Sequence, residues 1–364
     1  MKKEWKNYVV TLTYVCFTAF FVVLCICAGL NPVQKSESER RPLAQFPEKI
    51  TMETIFDRTA IKEFEEYAVD QFPLRETFRS LKAKIQYKLM GLKENNGLAM
   101  QDGYYANITP AFTEGLINGS IDRLVYVYNK MITGKTWICL IPDKNYYLGQ
   151  DYGYPTPDYA ALAQKLQAAL PEATYVDIFD ALTLENFYRT DTHWRQETLD
   201  KVADRLCAAL GIPKETNYTQ NVLQGFKGVY YGQSAMAPKP DDLVYLTSSI
   251  IDSCTVYDYE TGKTTGIYDL EKFGGQDGYE VFLSGTKALL RIDNPNATSD
   301  RELVVFRDSF GSSLTPLLVQ GYKSIYVVDI RYVHPDAVSY YIDMEGKDAL
   351  FIYSALILNQ KAFK

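Results

Sequence analysis

Glu302-Leu303-Val304-Val305-Phe306-Arg307-Asp308-Ser309-Phe310-Gly311 decides how the rest of the chain is read. The run Leu303–Phe306 is apolar throughout, with two adjacent β-branched residues, which suits a strand buried on both faces of a parallel sheet. It stops in a tight Asp-Ser-Phe-Gly turn that leads into a helix over 309–320. Ser309 therefore stands just past the carboxyl end of a strand, the side on which open α/β sheets bind ligands.

The same alternation extends outward in both directions. Downstream, residues 324–330 (SIYVVDI) read as a strand, a short helix follows near 335–343, and 349–354 (ALFIYS) is another strand. Upstream, 136–141 (TWICLI) is a buried strand stopped by Pro142-Asp143, and 157–170 is an amphipathic helix with proline in its first turn. Residues 173–179 (ATYVDIF) form a further strand, and 197–210 a helix closed by Gly211 and Pro213. Strands separated by helices make an α/β fold with a parallel sheet flanked by helices. Residues 214–300 break the rhythm. They are rich in Gly, Tyr, Thr and Asp and read as an inserted β-rich region of antiparallel strands. Near the start, apolar residues at helical spacing place two helices on either side of 70–73, and 101–105 read as a turn entering a strand.

The N-terminus has a different solvent in mind. Lys2, Lys3 and Lys6 precede an uncharged run over 8–30, long enough to cross a bilayer as a helix. The basic residues come first, so residues 1–7 are expected in the cytoplasm and the remainder outside, as a single-pass plasma-membrane protein. A cleaved signal peptide is the rival reading. The run is longer than a usual signal core and ends in a poor cleavage match, which favours an uncleaved signal-anchor. Residues 31–40, polar and charged, read as a tether, and 41–364 as the extracytoplasmic domain.

Bulk composition narrows the function. The chain has 364 residues, ordinary globular composition and a net charge of −7 with pI near 5.1. No basic patch stands out to neutralise phosphates, so nucleic acid is not an expected partner. Six cysteines, three of them in the apolar run, give no disulfide framework, and two histidines cannot build most zinc sites. Neither a metal nor a cofactor is expected.

One of those histidines lies in Thr190-Asp191-Thr192-His193-Trp194. A serine hydroxyl is a weak nucleophile until an imidazole takes its proton, and the imidazole needs a carboxylate to fix its tautomer. Ser309 as nucleophile, His193 as base and Asp191 as its orienting acid fit those roles, with the helix N-terminus aiming amide groups at an acyl oxygen. The order Asp, His, Ser is not that of the α/β-hydrolases, and the flanking glycines of their elbow are missing. Each piece also has a plain structural reading: an Asp-x-His loop pair, and a helix cap made by Asp308 or Ser309.

Together these residues resemble a known family. TDTHW, the strand followed by RDSF, and the opening RPLAQFP…DQFPLR resemble the DHHW proteins, which are similar to the extracytoplasmic SGNH-like O-acetyltransferases of alginate biosynthesis. The resemblance runs roughly from Arg41 to Ser354 and includes Gly103-Tyr104 and Tyr230–Gly232. It implies an SGNH-hydrolase-like sheet and assigns Asp191, His193 and Ser309 the roles above. It also implies O-acetylation of a cell-surface or secreted polysaccharide through an acyl-serine, with a membrane-bound O-acyltransferase as the acyl donor. Two departures stand out: Thr192 replaces the first histidine of the signature, and Arg307 replaces the glycine of the SGNH serine block. Arg331, at the end of the next strand, is a candidate for gripping substrate, with a structural ion pair as the alternative. A carbohydrate esterase with the same three residues and a non-catalytic glycan-binding surface protein are the other functions to separate.

Overall fold

The computed structural model describes residues 2–363 and divides into two compact units. One comprises residues up to 95 together with 232–237; the other comprises 96–231 and 238–364.

The first unit begins with α1, Lys2–Leu30, whose segment Asn7–Leu24 is apolar and long enough to cross a membrane. The segment expected as a tether is folded. Lys35–Ser36 (β1) pairs antiparallel with Arg41–Pro42 (β2), and the Val33 amide donates to Gln71 Oε1 at 2.8 Å while Gln71 Nε2 returns a bond to the Val33 carbonyl. Three helices follow: α2 (Met52–Phe56), α3 (Thr59–Asp70) and α4 (Arg75–Lys84), the last continuing into a π-turn at Ile85–Leu89. The break expected at 70–73 is present, and Glu94–Asn95 (β3) ends the unit.

The second unit is built on one eight-stranded sheet. A hairpin of β4 (Leu98–Gln101) and β5 (Tyr104–Asn107) and helix α5 (Glu114–Met131) come before it. Its strands are β6 (Thr136–Ile141), β7 (Thr174–Tyr175), β10 (Thr255–Asp258), β11 (Lys263–Thr265), β12 (Leu289–Asp293), β13 (Glu302–Arg307), β14 (Ser324–Val328) and β15 (Asp348–Ser354). A separate ribbon pairs β8 (Thr219–Phe226) with β9 (Asp241–Thr247). The spatial order in the sheet is β11-β10-β12-β14-β13-β15-β6-β7. From β14 to β7 every pairing is parallel; β12, β10 and β11 add on antiparallel. The fold class read from the sequence, a mainly parallel sheet with flanking helices, is what the chain adopts. The 214–300 stretch is β-rich and antiparallel, and three of its strands extend the main sheet.

β13 lies inside that sheet and explains the apolar run that began the reading. Leu303 and Val305 pack into the core on one face, with Leu206 and Leu210; Val304 and Phe306 pack on the other, with Leu124 and Leu162. The helices behind those contacts are α8 (Asp200–Leu210) and, on the other face, α5 and α7 (Tyr159–Ala169). α8 ends at Gly211 in the left-handed conformation (φ 63°), as the sequence signalled. The strand expected over 173–179 shrinks to two residues. It pairs with β6 on one side only, and the Asp177 carboxylate accepts from the Phe179 amide, turning the chain into a 3₁₀ turn.

Candidate active site

Ser309 follows β13 with only Asp308 between. Asp308 is buried and fixes the turn: Oδ1 accepts from the Phe310 amide, and Oδ2 accepts from the amide and hydroxyl of Ser354 at the end of β15. The plain capping role therefore falls to Asp308, leaving the Ser309 hydroxyl for something else. Helix α11 (Phe310–Leu314) starts here. Its amides are not open in the way the sequence suggested. Phe310 N–H goes to Asp308 Oδ1, Gly311 N–H to the Asp308 carbonyl and Ser312 N–H to the Ser309 carbonyl. Among the described residues nothing accepts from the Ser309 amide, which makes it the one donor of this turn left for an oxyanion.

The DTHW loop meets this turn. His193 Nε2 lies 2.7 Å from Ser309 Oγ, and Nδ1 lies 2.6 Å from Asp191 Oδ1. With Nδ1–H donating to the carboxylate, Nε2 is left as the acceptor for the serine proton. Asp191 is buried and also accepts from the amides of His193 and Val229. Burial alone would raise its pKa; the His193 charge and these hydrogen bonds overcome that and hold it well below the usual carboxylate range. Asp191, His193 and Ser309, 116 residues apart from base to hydroxyl, form one unbroken hydrogen-bonded line.

Four further groups hold the line in place. Trp194, fully buried, donates from Nε1 to the Phe310 carbonyl and to Ser313 Oγ, tying the loop to α11. Tyr279 stacks face to face on the His193 ring, centroids 3.8 Å apart and planes 6° from parallel, while its hydroxyl donates to Ser313 Oγ. Asp241 accepts from the amides of Arg189 and Thr190 and from the Thr190 hydroxyl. Lys144 opens α6 (Lys144–Tyr152) at the carboxyl end of β6, and its ammonium donates to the carbonyls of Tyr188 and Arg189. That lysine is buried. Burial draws its pKa down to about 7 against the opposing pull of Asp191, Asp241 and Asp143. The Tyr188–Thr190 backbone is thus held through its carbonyls by a cation and through its amides by an anion, immediately before Asp191.

The other side of the loop is closed by α9 (Val229–Gln233) and the residue before it. Gly228 packs so closely on Thr190 and Asp191 that a Cβ there would overlap the Asp191 Cβ and the Thr190 carbonyl oxygen. Of these supports, the sequence reading singled out only Trp194 and the 230–232 segment. Lys144 carried a usable signal, an acid and a lysine at the mouth of a buried strand; Tyr279, within the irregular 214–300 stretch, carried none.

Arg331 is accounted for locally, whereas Arg307 keeps a buried Nε and Nη2 with no hydrogen-bond partner among the described residues. Arg307 points into the interior, where burial lowers its pKa and Asp329, 3.6 Å away, opposes that. Arg331 grips the same Asp329 with two hydrogen bonds, Nε to Oδ1 at 2.8 Å and Nη2 to Oδ2 at 2.6 Å. The ion-pair alternative for Arg331 is the arrangement present.

Comparisons with known proteins bear on this site and fold. The model of the DHHW proteins matches residues 177–328, a span that includes Asp191, His193 and Ser309. A DHHW family protein from Eubacterium siraeum has a similar structure, with a TM-score of 0.60 and 22% identity, over 74% of this chain and 94% of that one. PatB1 from Bacillus cereus is also similar, with a TM-score of 0.55 and 19% identity, over 74% of this chain and 99% of PatB1. A second PatB1 structure, with a sulfonyl adduct, matches with a TM-score of 0.53 and 19% identity, over 73% of this chain and 100% of that one. No curated protein matches. The resemblance first carried by TDTHW and RDSF therefore holds: in sequence over 177–328 and in fold over about three-quarters of its length, this chain is similar to the DHHW proteins.

Proposed function

We propose that this chain is a membrane-anchored serine O-acetyltransferase that carries an acetyl group on Ser309 and passes it to hydroxyls of a polysaccharide outside the cytoplasm. The observation that carries the reading is the Asp191–His193–Ser309 line, with 2.6 and 2.7 Å links and a serine amide left over beside the hydroxyl. In the first half-reaction Ser309 Oγ attacks the donor's acetyl carbonyl as its proton moves to His193 Nε2. The Ser309 amide faces the developing oxyanion, and the donor's alcohol departs with the proton from His193. In the second, His193 takes the proton of a sugar hydroxyl, that oxygen attacks the acyl-serine, and Ser309 Oγ leaves and regains a proton. Asp191 keeps Nδ1 protonated throughout and stabilises the imidazolium.

The family resemblance supports acetyl as the group and a polysaccharide as acceptor. Outside the cytoplasm there is no acetyl-CoA, so a membrane-bound O-acyltransferase fits the donor's place. Bacillus cereus PatB1 forms a sulfonyl adduct. An activated Ser309 would do the same here.

The test uses the full-length protein in detergent with a chromogenic acetyl ester, with and without an acceptor oligosaccharide. Acetylated oligosaccharide that falls at least ~10³-fold in Ser309→Ala and in His193→Ala is the expected result. Acetate release unaffected by any acceptor would replace transferase with esterase. Absence of an acetyl or sulfonyl adduct on Ser309 by mass spectrometry would remove both and leave a binding protein.

A further inference from the structure

In the first unit, the helix after the α3 break exposes what a soluble helix hides. Leu74, Phe78, Leu81, Ile85 and Leu89 recur at steps of four, three, four and four residues, so they form one stripe along α4 and its π-turn. Their exposures are 70, 48, 52, 40 and 80%. Ala83 and Tyr87, on the opposite face, are the buried residues of this segment. Lys82, Lys84 and Lys88 are exposed as well and border the stripe. From 75 to 93 the chain carries six basic residues and one acidic one. Of these, Arg75 and Arg79 are engaged with Glu39 and Glu76, and Lys84 and Lys88 are exposed cations beside the apolar stripe.

We propose that this stripe is a second membrane contact: residues 74–89 lie in the headgroup layer of an anionic bilayer, apolar side down. The pattern is that of an interfacial helix, in which Leu and Phe enter the acyl boundary and lysine stems lie along it while their ammonium groups reach lipid phosphates. The inference rests on the reading of α1 as an anchor, because the anchor says which surface is near. Within this unit the end of α1 is bound to the end of α3. Gly29 packs near the Tyr67 hydroxyl, Val33 exchanges two hydrogen bonds with Gln71, and Arg41 grips Asp70 through two more. Four residues after Asp70 the stripe begins. The segment expected as a tether instead packs on the end of α3, and α4 follows that end directly. The lysine border selects lipid phosphate over a second copy of this chain, whose net charge is −7 but whose corresponding face is equally basic.

Full-length protein reconstituted into phosphatidylcholine vesicles containing three-tenths phosphatidylglycerol and a diazirine-bearing phospholipid tests this, with adducts mapped by mass spectrometry. The expected result is lipid adducts on α1 and on 74–89. In Lys84→Gln/Lys88→Gln, or in vesicles of phosphatidylcholine alone, adducts on 74–89 fall roughly tenfold while those on α1 persist. Adducts confined to α1, labelling of 74–89 indifferent to phosphatidylglycerol, or copy-to-copy cross-links covering the stripe would each overturn the proposal. Missing adducts on α1 with the stripe still labelled would sink the anchor and leave the interfacial contact standing.

Discussion

Tyr279 holds the imidazole from one face, and among the described residues no other ring lies parallel to it. Replacing it by Phe removes the hydroxyl bond to Ser313 but keeps the stack, so kcat should fall less than about threefold. Replacing it by Leu frees the ring to tilt away from Ser309 Oγ, and kcat should fall about tenfold or more with KM nearly unchanged. Equal losses in both variants would mean that the hydroxyl, not the stack, matters. Lys144 offers a different measurement, because its pKa is about 7 in the fold against 10.5 for an ordinary lysine. Below pH 7 it is charged in both states. Between pH 7 and about 10 the unfolded chain binds a proton that the folded one lacks, so rising pH favours the folded state. The melting temperature of the wild type, relative to Lys144→Met, should therefore climb across that window; a flat difference would show that the lysine is not buried in solution. At this scale the line itself was legible from sequence, since a chain with two histidines offers few candidates for a base. Of its supports, Trp194 and Lys144 left a signal in the sequence, whereas the stacked Tyr279 looks ordinary until the chain is folded around it.

Elements were legible in proportion to how completely they are buried. β6, β13 and β15 are buried along almost their whole length and announced themselves as continuous apolar runs. β7 sits at an edge and was overextended. α5 is faint in the sequence although Ile117, Ile121, Leu124, Val127 and Met131 are buried at helical spacing, because Gly115, Gly119 and Ser120 dilute its helical signal. The β-rich stretch reads as an insertion because its strands are short and alternate, and nothing local says that β12 will pair with β14. One contact between elements invites a direct test. Gly228→Ala pushes a methyl group into Asp191 and the Thr190 carbonyl, neither of which can retreat: Asp191 is tied to His193, and Thr190 to Asp241 and Tyr230. A loss of about 1–3 kcal/mol in stability is expected from the overlap, together with a larger fall in kcat than Tm loss explains. Full activity in this variant would mean that the loop has slack the geometry denies.

At the scale of the whole chain, the open question is whether α1 stays attached. The helix runs without a break from Lys2 to Leu30, and the residues that follow it are engaged rather than loose, with Val33 held at both its amide and its carbonyl. Cleavage after residues 28–30 would require that segment to be extended in a protease, with only the poor match at Cys27-Ala28-Gly29 to direct it there. An anchor has the opposite demands: an uncharged span, basic residues ahead of it, and a folded unit directly behind. Expressed in its membrane-bound form, the protein should stay in the pellet after alkaline carbonate extraction, and its intact mass should include residues 2–30. Protease added from outside should leave a protected fragment that contains α1. A soluble species beginning near Gly29 would show that the apolar run is a signal sequence and that any membrane contact must come from residues 74–89 alone.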